Sequence, residues 1–496
     1  MIKPAGNTWL KDNLALNQFH LSNLSYIGRY DKLELSKSGQ VTRFFGPKYA
    51  PSEDTILAHL EFAIKYDDIH LGLLKSVFLQ ADESVLSEYI HAAGKGKYAR
   101  KLGFLFEFLT NKEIVLINPI AASYIDLLDS DKYITGEGVR SVKWKIIDNL
   151  LGNQNYCPIV RRTKQINDTI NYDIKNQILK LKKQYSAEVF NRAIQFLYSK
   201  ETRSSFEIEH ETPSPDRMTR FINLLQKAGT ESNMTLLSEQ NLTIYQNIIV
   251  DPRFANDGFR NFQNYIGENL PNSMEKIHYI CPPPEMVTSI MTGLHSCLNK
   301  SKTASPLVRA ALISFGFVFI HPFEDGNGRI HRFLIHDMLV RDGLVSSGWI
   351  IPVSAHILSN MKAYDQALEC YSNLILQKVK YIKNREGEIE ITNKQETESL
   401  FRYPDFTEQA AYLGSIIHAS VLEDMPSELD FIKKYDELKA EIRNIIDMPD
   451  RLLNNFIIFL HQNKGIMPKR RRKEFEQITD AELTKIEICY QEIFEL

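Results

Sequence analysis

One stretch of the chain, PLVRAALISFGFVFI over residues 306–320, constrains the fold more than any other. It is apolar on nearly every side of a helix, so it is stable in water only as a buried central helix. Its opening proline suits a first helical turn, and the helix must end near His321 because Pro322 follows. Apolar residues also return every three or four positions in segments such as TILAHLEFAIKY, VFNRAIQFLYSK and NNFIIFLHQ. The pattern therefore predicts a mainly α protein.

Few segments of the chain favour β-structure. The most plausible short strands lie at about residues 264–266 and 276–280, on either side of the polar stretch GENLPNSME. Two short strands joined by polar turn residues are typical of a β-hairpin. No internal repeat of fixed period is visible, which argues against a solenoid. We expect a helical fold that carries one small hairpin.

The length of the chain, 496 residues, exceeds the usual size of one hydrophobic core, so more than one domain is expected. Polar residues, Gly and Pro collect after Cys157 and again across residues 384–399, which is typical of domain boundaries. These breaks predict an N-terminal, mainly helical domain over residues 1–165 and a central domain over residues 166–385. A C-terminal helical domain is predicted over residues 400–496.

The charges of the chain are nearly balanced, with 59 Lys and Arg against 62 Asp and Glu and a net charge of −3. Overall charge therefore gives no support for a nucleic-acid or anionic-membrane partner. The first residues lack the apolar segment of a secretory signal, and the longest apolar run, residues 310–320, is too short to cross a bilayer. We expect a cytoplasmic protein without a membrane partner.

A polar loop, HPFEDGNGR, connects the apolar helix to a second helical run, IHRFLIHDMLV. Backbone N–H groups of Gly326, Asn327 and Gly328 would converge where the second helix begins, an arrangement that binds phosphate. His321 stands at the other end of the loop. Its reference pKa lies near neutrality, which suits it to take a proton from an attacking hydroxyl. The loop is therefore a candidate anion site with a candidate base beside it.

Two arginines and an aspartate extend this site. Arg329 and Arg332 are three residues apart and share a helix face, so both guanidinium groups can contact one anion. Asp325 offers a hard oxygen ligand, which suits Mg²⁺ that bridges this carboxylate and the phosphates of a nucleotide. A base, a metal ligand, an anion cradle and two cations thus lie between His321 and Arg332.

This segment resembles the signature of the Fic family, His-x-Phe-x-(Asp/Glu)-Gly-Asn-Gly-Arg-x-x-Arg, and matches it without a gap. The resemblance implies a Fic-type helical core that transfers AMP from ATP to a protein side-chain hydroxyl and releases pyrophosphate. It implies that His321 is the base, that Asp325 holds Mg²⁺ and that Phe323 anchors the loop in the core. The residues implied to bind ATP are Gly326, Asn327, Gly328, Arg329 and Arg332. The branch of the family that transfers a phosphate has Lys at the second glycine, so Gly328 favours AMP transfer.

Upstream, the stretch ETRSSFEIEHE resembles the inhibitory helix of the family, Ser/Thr-x-x-x-Glu followed by Gly or Asn. Ser205 and Glu209 occupy its defining places, and His210 departs from the pattern. The resemblance implies that this helix, at about residues 201–211, holds the enzyme inactive. Glu209 would pair with Arg332 and leave ATP in an orientation that is wrong for attack.

The two arms of the expected hairpin, FRNFQNYIG and EKIHYICPPPE, resemble the flap of the family, at about residues 264–281. The flap implies a protein target, because it clamps an extended target segment by strand addition. The resemblance to the family covers about residues 174–375.

Other interpretations of these residues stay open. An Asp-Gly-Asn-Gly turn and an arginine pair three residues apart are, taken alone, an ordinary connection and a solvated face. Within the enzyme interpretation, the same site run in reverse would remove AMP from a modified hydroxyl. A DNA-binding regulator that senses nucleotide is the alternative from another class, with KRRRK at residues 469–473 on the DNA. We favour a solvated basic face over DNA binding for this run, so nucleic acid is not an expected partner.

His336, on the same helix as the two arginines, is interpreted as a packing histidine rather than a catalytic one. The identity of the target, self-modification and assembly into a homo-oligomer are left open by the sequence.

Overall fold

The computed structural model describes residues 2–36, 40–271 and 274–494. Helices dominate the described residues, which confirms the predicted mainly α class with a small hairpin. None of the helices in these ranges is both long enough and apolar enough to cross a bilayer.

The described residues of the N-terminal part form five α-helices and two small sheets. Its helices are α1 (Gly6–Asn13), α2 (Ile56–Tyr66), α3 (Leu71–Gln80), α4 (Glu83–Ala93) and α5 (Lys97–Thr110). Its strands are β1 (Lys3–Pro4), β2 (Asn23–Ile27), β3 (Lys32–Leu35), β4 (Val41–Phe45), β5 (Ile125–Asp126), β6 (Val139–Ser141) and β7 (Ile146–Asp148). The strand orders are β1-β2-β4-β3 and β5-β7-β6. These strands were not predicted, because each has at most five residues and the alternation of polar and apolar residues, as in Lys32–Leu35, is too short to stand out in the sequence.

The central part holds the candidate site. Its helices are α6 (Lys164–Asn171), α7 (Ile174–Gln184), α8 (Ala187–Ile208), α9 (Pro215–Leu225), α10 (Glu239–Ile249), α11 (Pro284–Lys300), α12 (Pro306–Ile320), α13 (Asn327–Arg341), α14 (Val353–Ser359) and α15 (Met361–Lys378). Its strands are β8 (Tyr265–Leu270) and β9 (Met274–Ile280), followed by β10 (Tyr381–Lys383) and β11 (Ile389–Ile391). Strands β8 and β9 form the expected antiparallel hairpin, in which Tyr265 pairs with Ile280, but they are longer than predicted and extend through most of the polar stretch that was expected to be the turn. Residues 272 and 273 of its predicted turn lie outside the described residues.

The C-terminal part is helical. It contains α16 (Lys394–Arg402), α17 (Thr407–Ala419), α18 (Met425–Ile445), α19 (Asp450–Gln462) and α20 (Asp480–Phe494). The basic run KRRRK lies in a 3₁₀ turn, Lys469–Phe475, and not on the basic second helix that a helix-turn-helix would need. Arg471 and Arg472 in this turn are paired with Glu474 and Asp480. The domain boundaries near residues 165 and 385–400 stay predictions.

Helix α12 is the centre of the largest hydrophobic core. All of its residues from Leu307 to Ile320 are buried, as its uniformly apolar sequence predicts. It packs against α11, α13 and α17, and its neighbour α13 is also buried along most of its length. The loop between α12 and α13 therefore rests on two helices whose positions are fixed by packing.

Candidate functional site

His321 ends helix α12 in a left-handed conformation, with φ 52° and ψ 60°. A side chain with a Cβ adopts this conformation at a cost of about 1–2 kcal/mol, and such strain is found most often at functional sites. The ring nitrogen Nδ1 lies 3.2 Å from the carbonyl oxygen of Val318. Donation of Nδ1–H to this carbonyl leaves the lone pair on Nε2.

The pKa of His321 is lowered to about 4, because burial disfavours the charged ring and the Arg260 guanidinium adds to the effect. From the sequence we expected a pKa near neutrality. With the lowered value the imidazole is neutral at physiological pH, which is the protonation state that a base requires.

The loop after His321 is held by the side chain of Asn327, which forms hydrogen bonds to the loop backbone. Asn327 accepts a hydrogen bond from the Phe323 N–H at 3.1 Å and donates one to the Phe323 carbonyl at 2.9 Å. The Phe323 ring is fully buried and packs edge-on against Phe259. Gly326 has φ 88°, which favours glycine, and α13 begins at the next residue. The N–H groups of the first turn of α13 therefore have no acceptor within the helix, as an anion cradle requires.

Asp325 lies on the solvent side of this loop, with 51% of its side chain exposed. Its Oδ1 accepts hydrogen bonds from the Gly326 N–H and from Arg329 Nη2. No group of three or more His, Cys, Asp or Glu side chains suited to a metal ion exists among the described residues. One exposed carboxylate fits Mg²⁺ only where phosphate oxygens and water supply the remaining ligands.

Arg332 is one of the most buried side chains of the site, with 1% of its surface exposed. Its Nε donates to Ser205 Oγ at 2.7 Å, and its Nη2 donates at 2.7 Å to both the Ser205 carbonyl and Glu209 Oε1. Its Nη1 is buried without a hydrogen-bond partner among the described residues. A buried guanidinium N–H without a partner is costly, so this nitrogen is a natural place for a further acceptor.

Glu209 reaches Arg332 from the C-terminal end of α8. Burial alone would raise the pKa of Glu209, but the charge of Arg332 and its hydrogen bond outweigh burial and lower it. Glu209 is therefore an ionised carboxylate beside a buried cation. A Cβ added to Gly328 would lie 2.0 Å from Glu209 Oε1, so glycine at this position is what lets the carboxylate approach α13.

The end of α8 is a Schellman motif. The N–H of Glu211 donates to the Phe206 carbonyl, the N–H of His210 donates to the Glu207 carbonyl, and His210 is left-handed with φ 57°. This geometry is the physical reason why Gly or Asn suits the position that His210 occupies. Helix α8 runs over Ala187–Ile208, so the predicted inhibitory segment at about residues 201–211 is its last two turns and its cap.

A second carboxylate holds the other arginine. Glu211 contacts Arg329 through both oxygens, at 3.2 Å to Nη1 and 3.1 Å to Nη2, and also accepts from Arg217 at 2.7 Å. The Arg329 side chain is 1% exposed and also donates to Asp325 at 2.7 Å. Both guanidinium groups, of Arg329 and of Arg217, lie over the Phe206 ring. Each signature arginine is thus paired with a carboxylate from the end of α8.

His336 is a satisfied core histidine, as the sequence suggested. Its Nε2 lies 2.7 Å from Oε1 of Glu201, a buried residue of α8 that also accepts from the Ser354 N–H at 2.8 Å. This cluster joins α8 to α13 and α14. It lies two turns before Glu209 and therefore fixes the part of α8 from which the carboxylate projects.

The structure brings every predicted site residue to one region, where the ends of α8 and α12 meet the start of α13. Sequence reasoning missed Glu211, Glu201 and Arg260. Glu211 had a weak signal, as a second carboxylate two residues after Glu209. Glu201 and Arg260 had no signal in the sequence, because their hydrogen-bond partners lie far away in the chain.

Residues 235–339 match the sequence model of the Fic/DOC family. The matched range contains the hairpin, the loop and both arginines, whereas Glu209 lies outside it.

Among curated proteins, the chain is 24% identical over 226 residues to a probable protein adenylyltransferase from Aquifex aeolicus, which covers 42% of this chain and 59% of that protein. It is 31% identical over 143 residues to protein adenylyltransferase fic-1 from Caenorhabditis elegans, which covers 28% of this chain and 26% of that protein. The chain thus spans less than two thirds of the length of these relatives.

A crystal structure of a Fic family protein from Desulfovibrio desulfuricans is 14% identical at a TM-score of 0.37, over 66% of this chain and 84% of that one.

Proposed function

We propose that this chain, whose residues 235–339 form a Fic domain, is a protein adenylyltransferase that Glu209 holds inactive. The observation that carries the proposal is the pair of buried arginines, Arg329 and Arg332, beside a neutral histidine and an anion cradle. Buried guanidinium groups are stable only where anions compensate them. Asp325 and the two carboxylates that follow α8, Glu209 and Glu211, compensate them here, and the phosphates of ATP are the substrate anions that would replace those carboxylates.

In the proposed reaction, the hydroxyl oxygen of a target side chain attacks the α-phosphorus of ATP. His321 Nε2 takes the hydroxyl proton, because Nδ1 is committed to the Val318 carbonyl. A bond forms between the hydroxyl oxygen and the α-phosphorus, and the bond from that phosphorus to the β-phosphate oxygen breaks. The products are AMP joined to the target and pyrophosphate, whose charge Arg329 and Arg332 stabilise.

Mg²⁺ is part of the proposal, with Asp325 as the one protein ligand. The exposed carboxylate suits an ion that shares its remaining positions between phosphate oxygens and water. When bound, the ion would neutralise charge on the phosphates. Asp325 would then exchange its contact with Arg329 for the metal, which frees that guanidinium for phosphate.

The proposed inhibition acts on both arginines. Glu209 occupies Arg332, and Glu211 occupies Arg329, so neither guanidinium is available to the outer phosphates in this state. ATP bound alongside these carboxylates would be held in a pose from which the α-phosphorus does not face the attacking hydroxyl. We expect Glu209 to dominate, because Arg329 has Asp325 as a further partner, whereas Glu209 is the one carboxylate paired with Arg332 among the described residues.

Label transfer tests the proposed reaction. The Glu209→Gly variant is incubated with a cell lysate and with ATP labelled at the α or the γ position. Transfer of α label but not γ label to protein, lost on His321→Ala, is the expected result. Transfer of γ label would mean phosphate transfer, and absence of both labels would refute the proposal.

The reverse reaction is the second candidate, because Glu209 lies beside the site and has a lowered pKa that keeps it able to orient water. AMP release from a modified target by the parent enzyme, lost on Glu209→Gly, distinguishes it from simple inhibition. No such release is expected if Glu209 only blocks.

A further inference from the structure

Arg260 is a buried cation that has no assigned role in the chemistry above. It lies before β8 and is 6% exposed. Its Nε donates to the His321 carbonyl at 2.8 Å, Nη1 to the Phe262 carbonyl at 2.7 Å, and Nη2 to the Pro282 carbonyl at 2.7 Å. Its own backbone N–H donates to the Pro322 carbonyl at 2.8 Å.

These carbonyls belong to three segments that must be aligned for transfer. Phe262 leads into the first strand of the hairpin, Pro282 follows the second strand, and His321 ends α12. One planar guanidinium therefore joins both legs of the hairpin to the backbone of the proposed base. The cation also lies at the C-terminal end of α12, where the helix dipole is negative and carbonyl groups lack partners within the helix.

We infer that Arg260 is the positioning residue for His321, which it fixes relative to the hairpin that presents the target hydroxyl. The inference rests on the proposed function, because it gives the hairpin and His321 their roles. Its physical basis is the left-handed backbone of His321, a strained conformation that persists only where the surroundings hold it. Two hydrogen bonds from Arg260 stabilise this conformation. Its side chain donates to the His321 carbonyl, and its backbone N–H donates to the Pro322 carbonyl.

The guanidinium also acts on the protonation state of the ring. Its positive charge is the second cause, after burial, of the lowered pKa of His321. Arg260 thus holds the backbone of the proposed base and adds to the effect of burial on the pKa of its ring. Neighbouring Phe259 packs on Phe323, so the same segment also contacts the loop anchor.

The test uses full-length protein in the Glu209→Gly background, in which transfer is measurable. Arg260→Met removes all of the side-chain hydrogen bonds, including a longer one of 3.4 Å from Nη2 to the Ile320 carbonyl, and Arg260→Lys retains the charge with a single point of contact. Arg309→Met is the matched control. Arg309 is also buried and lies near the other end of α12, where it donates to the Leu298 carbonyl at 2.8 Å and is paired with Asp342.

All variants are assayed at a temperature at which each is folded, as judged by its own melting curve. Arg260→Met should lower kcat by about 100-fold, since a misplacement of ~1 Å in an active site costs about that much. Its ATP affinity should stay unchanged, because the cradle and both signature arginines belong to the other side of the loop. Arg260→Lys should show a smaller loss of kcat, again without a change in ATP affinity. Arg309→Met should keep the kcat of the background.

A second readout does not depend on activity. Amide hydrogen exchange should become faster at residues 262–266 and 320–323 in Arg260→Met and stay unchanged there in Arg309→Met. The inference is overturned if Arg260→Met keeps its kcat, if Arg309→Met loses as much, or if exchange in these segments does not change. If Arg260→Met fails to fold, the same criteria apply to Arg260→Lys. An inactive Glu209→Gly background would refute the proposed function instead, and exchange would still decide whether Arg260 tethers the hairpin to His321.

Discussion

Replacement of Glu209 is the perturbation that tests the proposed inhibition most directly. Its Oε1 lies 2.7 Å from Nη2 of Arg332, whose side chain is 1% exposed, while Glu209 itself is 35% exposed. Glu209→Gln keeps the size of the side chain and removes its charge. Glu209→Gly removes both. We expect both changes to increase AMP transfer, and Glu209→Gly to increase it more, because it also clears the space beside Gly328.

The size of the effect follows from the hydrogen bond between Glu209 and Arg332, which the γ-phosphate of ATP must displace. A hydrogen bond between charged groups contributes roughly 1.5–3 kcal/mol. If the γ-phosphate competes with Glu209 for Arg332, removal of the carboxylate lowers the barrier to the reactive pose by that amount. At about 1.4 kcal/mol per tenfold, the rate of transfer should rise by roughly 10- to 150-fold.

The assay compares incorporation of AMP from α-labelled ATP by the parent, Glu209→Gln and Glu209→Gly at equal ATP. Glu207→Gln is the control, because Glu207 is exposed on the same helical turn. Adding Arg332→Ala to Glu209→Gly should abolish the gain, since the arginine is needed to orient the phosphates that the glutamate blocks. An active double variant, or a Glu209→Gly protein no faster than Glu207→Gln, would refute the proposed competition for Arg332 and leave the role of His321 standing.

Four further predictions concern the loop. His321→Ala should abolish transfer and leave ATP affinity nearly unchanged, which calorimetry checks; an equal loss of affinity would contradict its role as a base. Asp325→Ala should weaken ATP binding in the presence of Mg²⁺ and reduce its Mg²⁺ dependence, so an unchanged titration would exclude Asp325 as the ligand. Gly328→Ala should destabilise the parent by about 1–3 kcal/mol in chemical denaturation but much less with Glu209→Gly, because the added methyl meets only the Glu209 carboxylate closely. The pKa of His321, lowered to about 4, places the base in its neutral form above that value, so transfer by Glu209→Gly should show no acid limb between about pH 6 and pH 8. A rate that halves near pH 6.5, the ordinary range for histidine, would contradict the burial of the ring.

The parts of the fold that sequence predicts well are those whose signals are local. Pro306 and Pro322 bracket α12, and the apolar run between them requires burial on all sides. The turn with Gly326 follows from residue types within a few positions of one another. The position of the hairpin is predicted for the same reason, because its apolar residues flank a short polar stretch, although the strands themselves continue into that stretch.

Long-range contacts explain what the sequence did not reveal. Arg260 matters because it donates to the carbonyls of His321 and Pro282. In the sequence alone it cannot be distinguished from an arginine on the surface. Glu201 looks like one more charge on an amphipathic helix, although it is buried and bonded to His336 more than a hundred residues away. Backbone carbonyls carry no residue-specific signature, so partners of this kind are visible only in three dimensions.

Both helix ends that form the site finish in a left-handed histidine, at His210 after α8 and at His321 after α12. Each costs about 1–2 kcal/mol relative to the preferred region, and neither residue is a glycine that would relieve it. At His321 the strain is balanced by Arg260, whose side chain donates a hydrogen bond to the His321 carbonyl. At His210 it is balanced by the flanking carboxylates, Glu209 on Arg332 and Glu211 on Arg329. Release of these carboxylates by phosphate would leave only the backbone hydrogen bonds of the Schellman motif to hold His210, so the proposed inhibited arrangement and the capped helix end stabilise each other and should weaken together.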